Sequence, residues 1–197
     1  MTTETPSVLV VEDEPDLADL YADWLEEECD VETAYDGETA LEAIDGTIDV
    51  VLLDRRMPGP SGDTTLGAIR EQGLDCRVAM VTAVEPDFDI VEMGFDDYLV
   101  KPVSKGDLLE IVDQLMLRSK YDEQLREFFA LSSKKALLDA QKTEAERKSS
   151  REYARLQDRL AVRRVQVDDT IAELLERDDY RRLCQDITRE SILEENR

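Results

Sequence analysis

Over the first 117 residues, short unbroken apolar runs alternate with amphipathic stretches. The runs are Val8-Leu9-Val10-Val11, Val31–Ala34, Val50-Val51-Leu52-Leu53, Arg77–Val81 and Tyr98–Val100. Runs this short, rich in β-branched residues, predict strands of the kind buried on both faces inside a parallel sheet. Between the first two, Pro15 suits the first turn of a helix, and Leu17, Leu20, Tyr21, Trp24 and Leu25 form one apolar stripe with an acid-rich opposite face through Glu28. Asp36-Gly37 predicts the entry to a second helix ending near Ile44, and Gly62 or Asp63 that to a third ending at Glu71, with Gly73 just beyond. Glu85-Pro86-Asp87 predicts a short fourth helix to Met93. Ser104-Lys105-Gly106-Asp107 has the pattern of a capping box for a fifth, with stripe Leu108, Ile111, Val112 and Leu115 and an end near Leu117. Strands and helices in this alternation give the α/β class: a doubly wound, five-stranded parallel sheet.

The pattern then changes. From Asp107 to Arg197 there is neither Gly nor Pro, a stretch of 91 residues that predicts helix throughout, divided only by capping residues. Thr143-Glu144-Ala145-Glu146 and Ser149-Ser150-Arg151-Glu152 both fit the capping box, and Asp178 is a further cap. The expected helices run from about 119 to 141, 150 to 177 and 179 to 189. On the first, Tyr121, Leu125, Phe128, Phe129 and Ala136 form the apolar face. On the second, Tyr153, Leu160, Val167 and Leu174 recur every seven residues beside Leu156 and Ile171, with Val162 and Val165 off that seam. Two long helices with a short connection predict an antiparallel, all-α hairpin.

Charge divides the chain at the same place. Residues 1–117 carry 30 acids and 6 bases, whereas residues 118–197 carry 18 of each, so the net charge of −24 lies wholly on the first part. That excludes the first part as a nucleic-acid binder on electrostatic grounds. Only 7 of the 24 bases are Lys, and a carboxylate-rich surface poor in Lys suits a cytoplasm of very high salt, where self-repulsion is screened. Cys29, Cys76 and Cys184 are odd in number and lack metal spacing, which fits a reducing cytosol. No apolar stretch approaches membrane length. The expectation is a cytoplasmic protein. The chain has no His.

Chemistry concentrates where the predicted strands end. The first runs into Glu12-Asp13 and the third into Asp54, so parallel pairing brings three carboxylates to one sheet edge, where open α/β sheets bind ligands. Clustered carboxylates resist ionising unless a cation lies between them, and Mg²⁺, satisfied by one or two carboxylates plus water, is the natural candidate. The fourth strand ends on Thr82-Ala83 and the fifth on Lys101-Pro102.

An acid pair, a lone Asp, a hydroxyl and a Lys at successive strand ends resemble the receiver domain of two-component response regulators, over residues 7 to about 117. The tail resembles the HalX-type domain that follows receivers in haloarchaeal regulators, and Asp54-Arg55-Arg56-Met57-Pro58 strengthens that likeness. The resemblance implies domains at 7–117 and 118–190, strand order 2-1-3-4-5, and Asp54 as acceptor of a phosphoryl group from a partner sensor histidine kinase. It implies Mg²⁺ held by Asp13, Asp54, the backbone carbonyl of Arg56, and Glu12 through water. It also implies Lys101 and Thr82 as partners of the phosphoryl oxygens, Tyr98 as the aromatic whose rotation accompanies phosphorylation, and a cis Lys101–Pro102 bond.

The expected function is a phosphorylation-controlled signalling protein, not an enzyme in its own right, whose tail forms a homodimer. A DNA-binding regulator using the tail is the alternative. Arg147, Arg151, Arg155, Arg159 and Arg163 recur every four residues, with Arg164 beside them. Against a DNA role, a step of four drifts around a helix, Glu152 and Asp158 interrupt the ridge, and the tail is neutral. A haloacid-dehalogenase-like phosphatase also uses an Asp nucleophile but expects a second acid two residues on, where Arg56 stands.

Overall fold

The computed structural model describes residues 5–176. The helix expected at 179–189 and Cys184 lie outside the described residues. The chain divides into two compact units between Met116 and Leu117.

In the first unit five strands form one parallel sheet of order β2-β1-β3-β4-β5: β1 (Ser7–Val11), β2 (Asp30–Ala34), β3 (Val50–Leu53), β4 (Arg77–Thr82) and β5 (Asp97–Val100). Their side chains alternate between two cores. Leu9, Val11, Val51, Leu53, Val78 and Met80 pack with residues of α2 (Gly37–Ala43) and α3 (Gly62–Glu71). Val8, Val10, Val50, Leu52, Ala79 and Val81 pack with α1 (Pro15–Leu25) and with Leu108, Ile111, Val112 and Leu115 of α4 (Lys105–Gln141). The unbroken apolar runs follow directly, since both faces of each central strand are covered.

The predicted caps hold the helix starts. The Asp36 carboxylate accepts the Thr39 N–H at 2.7 Å, and Asp107 accepts the Ser104 N–H at 2.7 Å while Ser104 Oγ accepts the Asp107 N–H. On α1 the small residues Ala18 and Ala22 join Tyr21 and Leu25 on the buried face. Leu20, expected in the stripe, is exposed.

One helix is corrected. The segment expected to be helical up to Met93 is a five-residue 3-10 turn, Phe88–Glu92, with no buried side chain. Burial of one large apolar side chain supplies about 1.5–3 kcal/mol, and a helix this short is marginal without such packing. Phe88 and Val91 face solvent, and Glu85, Asp87, Asp89 and Glu92 crowd the segment with like charge.

The helices expected to end near Leu117 and to start near residue 119 are one, because nothing in Arg118-Ser119-Lys120 breaks α4, which continues to Gln141. In the second unit it is followed by α5 (Glu144–Ser149) and α6 (Arg151–Glu176). Thr143 and Glu146 form the predicted capping box, and it opens this separate six-residue helix. The second box is shifted by one residue: Ser149 ends α5, its Oγ donating to the Glu146 carbonyl, and α6 is capped by Ser150, whose Oγ accepts the Tyr153 N–H at 3.1 Å. Arg147 closes the end of α4 by donating to the carbonyls of Asp139 and Lys142 at 2.7 and 3.2 Å.

Four side-chain pairings set α6 antiparallel to the second part of α4. Tyr153 donates to Asp139 at 2.5 Å, Arg159 and Arg163 both donate to Glu127, and Thr170 donates to Gln124 at 2.9 Å. The buried seam of α4 is Leu117, Gln124 and Leu131, seven residues apart, with Leu138 half-buried a further seven on. Phe129 and Ala136, expected on the apolar face, are exposed. In α6 the heptad positions hold, with Val167 buried and Tyr153, Leu160 and Leu174 half-buried.

A carboxylate cluster at the sheet edge as candidate functional site

The ladder brings the strand ends together. Asp54 N–H donates to the carbonyl of Val11 at 2.9 Å, so the residue after β3 lies beside Glu12 and Asp13, which follow β1. Carboxylate oxygens of Glu12, Asp13 and Asp54 all lie within 4.8 Å of one another. Lys101 enters from the far side, its backbone N–H donating to the Thr82 carbonyl at 2.8 Å where β4 and β5 end. Its ammonium donates to Glu12 Oε2 at 2.5 Å and stands 3.6 Å from Asp54 Oδ2. The Lys101–Pro102 bond is cis.

Burial sharpens the electrostatics. Glu12 is 2 % exposed and Asp54 7 %, whereas Asp13 is half-buried. Burial pushes the Glu12 carboxyl up from its ordinary range. The Lys101 hydrogen bond and charge oppose that shift, and the neighbouring Asp54 charge adds to it. The nearby Tyr21 phenol is pushed up to about 12, chiefly by burial and then by the charges of Glu12 and Asp54. The pocket therefore holds more negative charge than one ammonium balances.

Glu12 Oε1 is buried and has no hydrogen-bond partner. An unpartnered buried carboxylate oxygen beside two further carboxylates fits a hard divalent cation taking oxygen ligands. Glu12, Asp13 and Asp54 could hold such an ion directly or through water. Asp54 Oδ1 already accepts the Arg55 N–H at 2.8 Å, which fixes the carboxylate's rotation.

Thr82 is fully buried at the end of β4, and its hydroxyl accepts the Val84 N–H at 3.3 Å. The half-buried Tyr98 donates to the carbonyl of the same residue, Val84, at 2.7 Å and packs against Phe95. Thr82 and Tyr98 are thus joined through one backbone residue, while neither is hydrogen-bonded to Asp54. The Arg56 side chain points to solvent.

Sequence reasoning missed two contributors. Arg55 ion-pairs with Asp63 at the start of α3 at 2.9 Å and with Asp89 of the 3-10 turn, and these carboxylates hold its guanidinium well above the ordinary range. It ties both segments to the residue after Asp54, and nothing in a lone Arg signals two partners 8 and 34 residues away. Gly62 is the other. A Cβ there would stand 2.1 Å from the Asp54 carbonyl oxygen, so α3 starts hard against the Asp54 backbone.

Residues 8–113 match the response regulator receiver domain, and the chain belongs to the response regulators. Residues 117–184 match the HalX domain, so the receiver is followed by a HalX domain. A Haloferax volcanii protein named as a transcriptional regulator is 59 % identical over 138 residues, covering 70 % of this chain and 24 % of that protein. The transcriptional regulatory protein CpxR of Escherichia coli is 40 % identical over 121 residues, covering 59 % of this chain and 52 % of CpxR. The chain thus spans about half or less of the length of these relatives. Among solved structures, the Francisella response regulator 1452 receiver domain is 31 % identical with a TM-score of 0.53, covering 58 % of this chain and 99 % of that one. The Thermotoga maritima response regulator TrrA, solved in complex with Mg²⁺ and BeF, is 34 % identical with a TM-score of 0.50, covering 56 % and 98 %. Among the described residues no helix is long and apolar enough to cross a membrane.

Proposed function

We propose that this chain is the acceptor of a cytoplasmic two-component phosphorelay, with residues 7–117 as receiver and 118–190 as a helical output domain that self-associates. In this reading a sensor histidine kinase presents its phosphohistidine, and a carboxylate oxygen of Asp54 attacks the phosphorus. A P–O bond forms, the P–N bond breaks, and the leaving imidazole keeps the electron pair and is protonated.

The observation that carries the reading is the meeting of Asp54 with Glu12 and Asp13 within 4.8 Å, beside the Lys101 ammonium at 3.6 Å. A carboxylate approaching an anionic phosphoryl group needs fixed positive charge on the reacting oxygens, and Lys101 supplies it as a point charge. Glu12, Asp13, Asp54 and the Arg56 carbonyl would hold Mg²⁺, which when bound neutralises further charge on the phosphoryl oxygens. Lys101 exchanges Glu12 for a phosphoryl oxygen. The Thr82 hydroxyl turns from the Val84 N–H to another, and Tyr98, bonded to the same Val84, follows.

The test is mass spectrometry after incubation with Mg²⁺ and a small acyl phosphate, or occupancy by beryllofluoride. A single modification is expected, on Asp54; modification of any other residue would overturn the assignment. Lys101→Ala is expected to retain Mg²⁺ binding, because the ammonium is a competing cation beside Glu12, and to lose the response of Tyr98. Full Tyr98 fluorescence change in Lys101→Ala would remove Lys101 from the switch.

The names of the relatives favour a second reading, in which the tail contacts DNA. The tail's 18 acids and 18 bases, and the commitment of Arg159 and Arg163 to Glu127, weigh against it. Tail-dependent duplex binding that falls steeply with salt would reverse that preference.

A further inference from the structure

The helix α6 carries its charge in two blocks. Arg151, Arg155, Arg159, Arg163 and Arg164 stand in residues 151–164 against Glu152 and Asp158, whereas residues 165–176 hold Asp168, Asp169, Glu173 and Glu176 with no base. This order is unfavourable for a helix by itself, since the backbone leaves partial positive charge at the amino end and negative charge at the carboxyl end.

The partner helix inside the hairpin answers it only in part, chiefly through Glu127 with Arg159 and Arg163. The pairings of Tyr153 with Asp139, Arg163 with Glu127 and Thr170 with Gln124 set residues 127–141 opposite the basic block. That stretch holds two acids, Glu127 and Asp139, and two bases, Lys134 and Lys135. Opposite the acidic block, residues 117–126 hold Arg118, Lys120 and Arg126 against Asp122 and Glu123. The polarity is therefore turned outward, on the exposed Arg151, Arg155, Arg164, Asp168, Asp169 and Glu173.

Where the sign changes stand Val162 and Val165, 59 % and 58 % exposed and off the interhelical seam, next to the exposed Ala161. A twofold axis between these valines sets a second α6 antiparallel to the first and lays Val162 of each copy against Val165 of the other. In that register Arg155 and Glu173, on the same flank of the face, fall within one residue of opposite each other, and each basic block lies along the other copy's acidic block. Asp158 meets Asp169, a like-charged pair that Arg155, one turn away, offsets.

We propose that the outward face of α6 from Arg155 to Asp169, centred on Val162 and Val165, is a docking surface for the same face of a second copy of this chain, antiparallel. This rests on the reading of the tail as self-associating and gives that association a place and an orientation.

The experiment is sedimentation velocity on the full chain, with and without Mg²⁺ and beryllofluoride, with circular dichroism to confirm that each variant stays helical. The wild type is expected to dimerise in at least one state, and Val162→Asp with Val165→Asp to weaken the dimer by ~100-fold or more. Arg151, Arg155 and Arg164→Glu in one variant, and Asp168, Asp169 and Glu173→Arg in another, are each expected to be monomeric alone and to form a heterodimer when mixed. These charge effects should shrink between about 0.1 M and 1 M salt, as the Debye length falls from about 10 to 3 Å, whereas the valine effect should not. A dimer that survives the valine and charge variants but is lost in Phe129→Asp with Leu137→Asp would overturn this surface and leave the self-association reading standing. A wild type that is monomeric in both states would overturn both.

Discussion

Asp54→Asn is expected to leave the chain unmodified when it is incubated with Mg²⁺ and an acyl phosphate, the rate falling by more than ~10³-fold. The substitution is nearly isosteric, and an amide oxygen can still accept the Arg55 N–H that orients the carboxylate. What disappears is the anionic oxygen that attacks phosphorus. One buried negative charge beside Glu12 is also removed, so the fold should hold or gain slightly while the chemistry stops. That separation makes the experiment decisive, because lost labelling cannot be ascribed to unfolding when the thermal transition is unchanged. Asp13→Asn should differ, weakening Mg²⁺ affinity and slowing modification without abolishing it. Stoichiometric labelling of Asp54→Asn would end the acceptor reading.

The sheet was legible because β1 and β3 are covered on both faces, so burial wrote itself into Val8–Val11 and Val50–Leu53 as unbroken apolar runs. The cluster was legible for a related reason. Parallel strands deliver whatever follows them to one edge, and Glu12-Asp13, Asp54, Thr82 and Lys101 each follow a run. Helix assignments failed where tertiary burial and local pattern part company. Ile90-Val91 within an acidic segment looks amphipathic, yet it finds no core to cover and settles as a 3-10 turn. Ala18 and Ala22 do the packing on α1 that Leu20 was expected to share, since a small residue lets the helix approach the sheet closely. In the tail, the buried hydrogen bond of Gln124 with Thr170 was invisible, because a polar residue on an apolar seam reads as an interruption until its partner 46 residues away is known. Contacts between distant polar side chains, such as Arg55 with Asp89, leave no periodic trace at all.

Gly62→Ala is expected to destabilise the receiver by about 3 kcal/mol, whereas Gly67→Ala, five residues on in the same helix, should stabilise it by up to about 1 kcal/mol. Neither glycine has a positive φ, so the difference lies in space rather than backbone conformation. A Cβ on Gly62 would stand 2.1 Å from the Asp54 carbonyl oxygen and 2.8 Å from Arg55 Cα, and both obstacles are backbone that cannot rotate aside. A Cβ on Gly67 meets nothing within 4 Å and gains the ordinary helix preference of Ala over Gly. Thermal unfolding followed at Trp24, the single Trp, in α1, reads the receiver directly. With roughly 4–8 °C per kcal/mol for a domain near this size, the two variants should move in opposite directions, Gly62→Ala down by roughly 12–24 °C. Relief of the overlap must push Asp54 away from Val11, where its N–H is bonded, and so away from Glu12 and Asp13. Gly62→Ala should therefore also weaken Mg²⁺ and beryllofluoride binding at temperatures where it remains folded, and Gly67→Ala should not. Equal stability of the two variants would mean that α3 can slide off the Asp54 backbone, and the acceptor's position would then not depend on that contact.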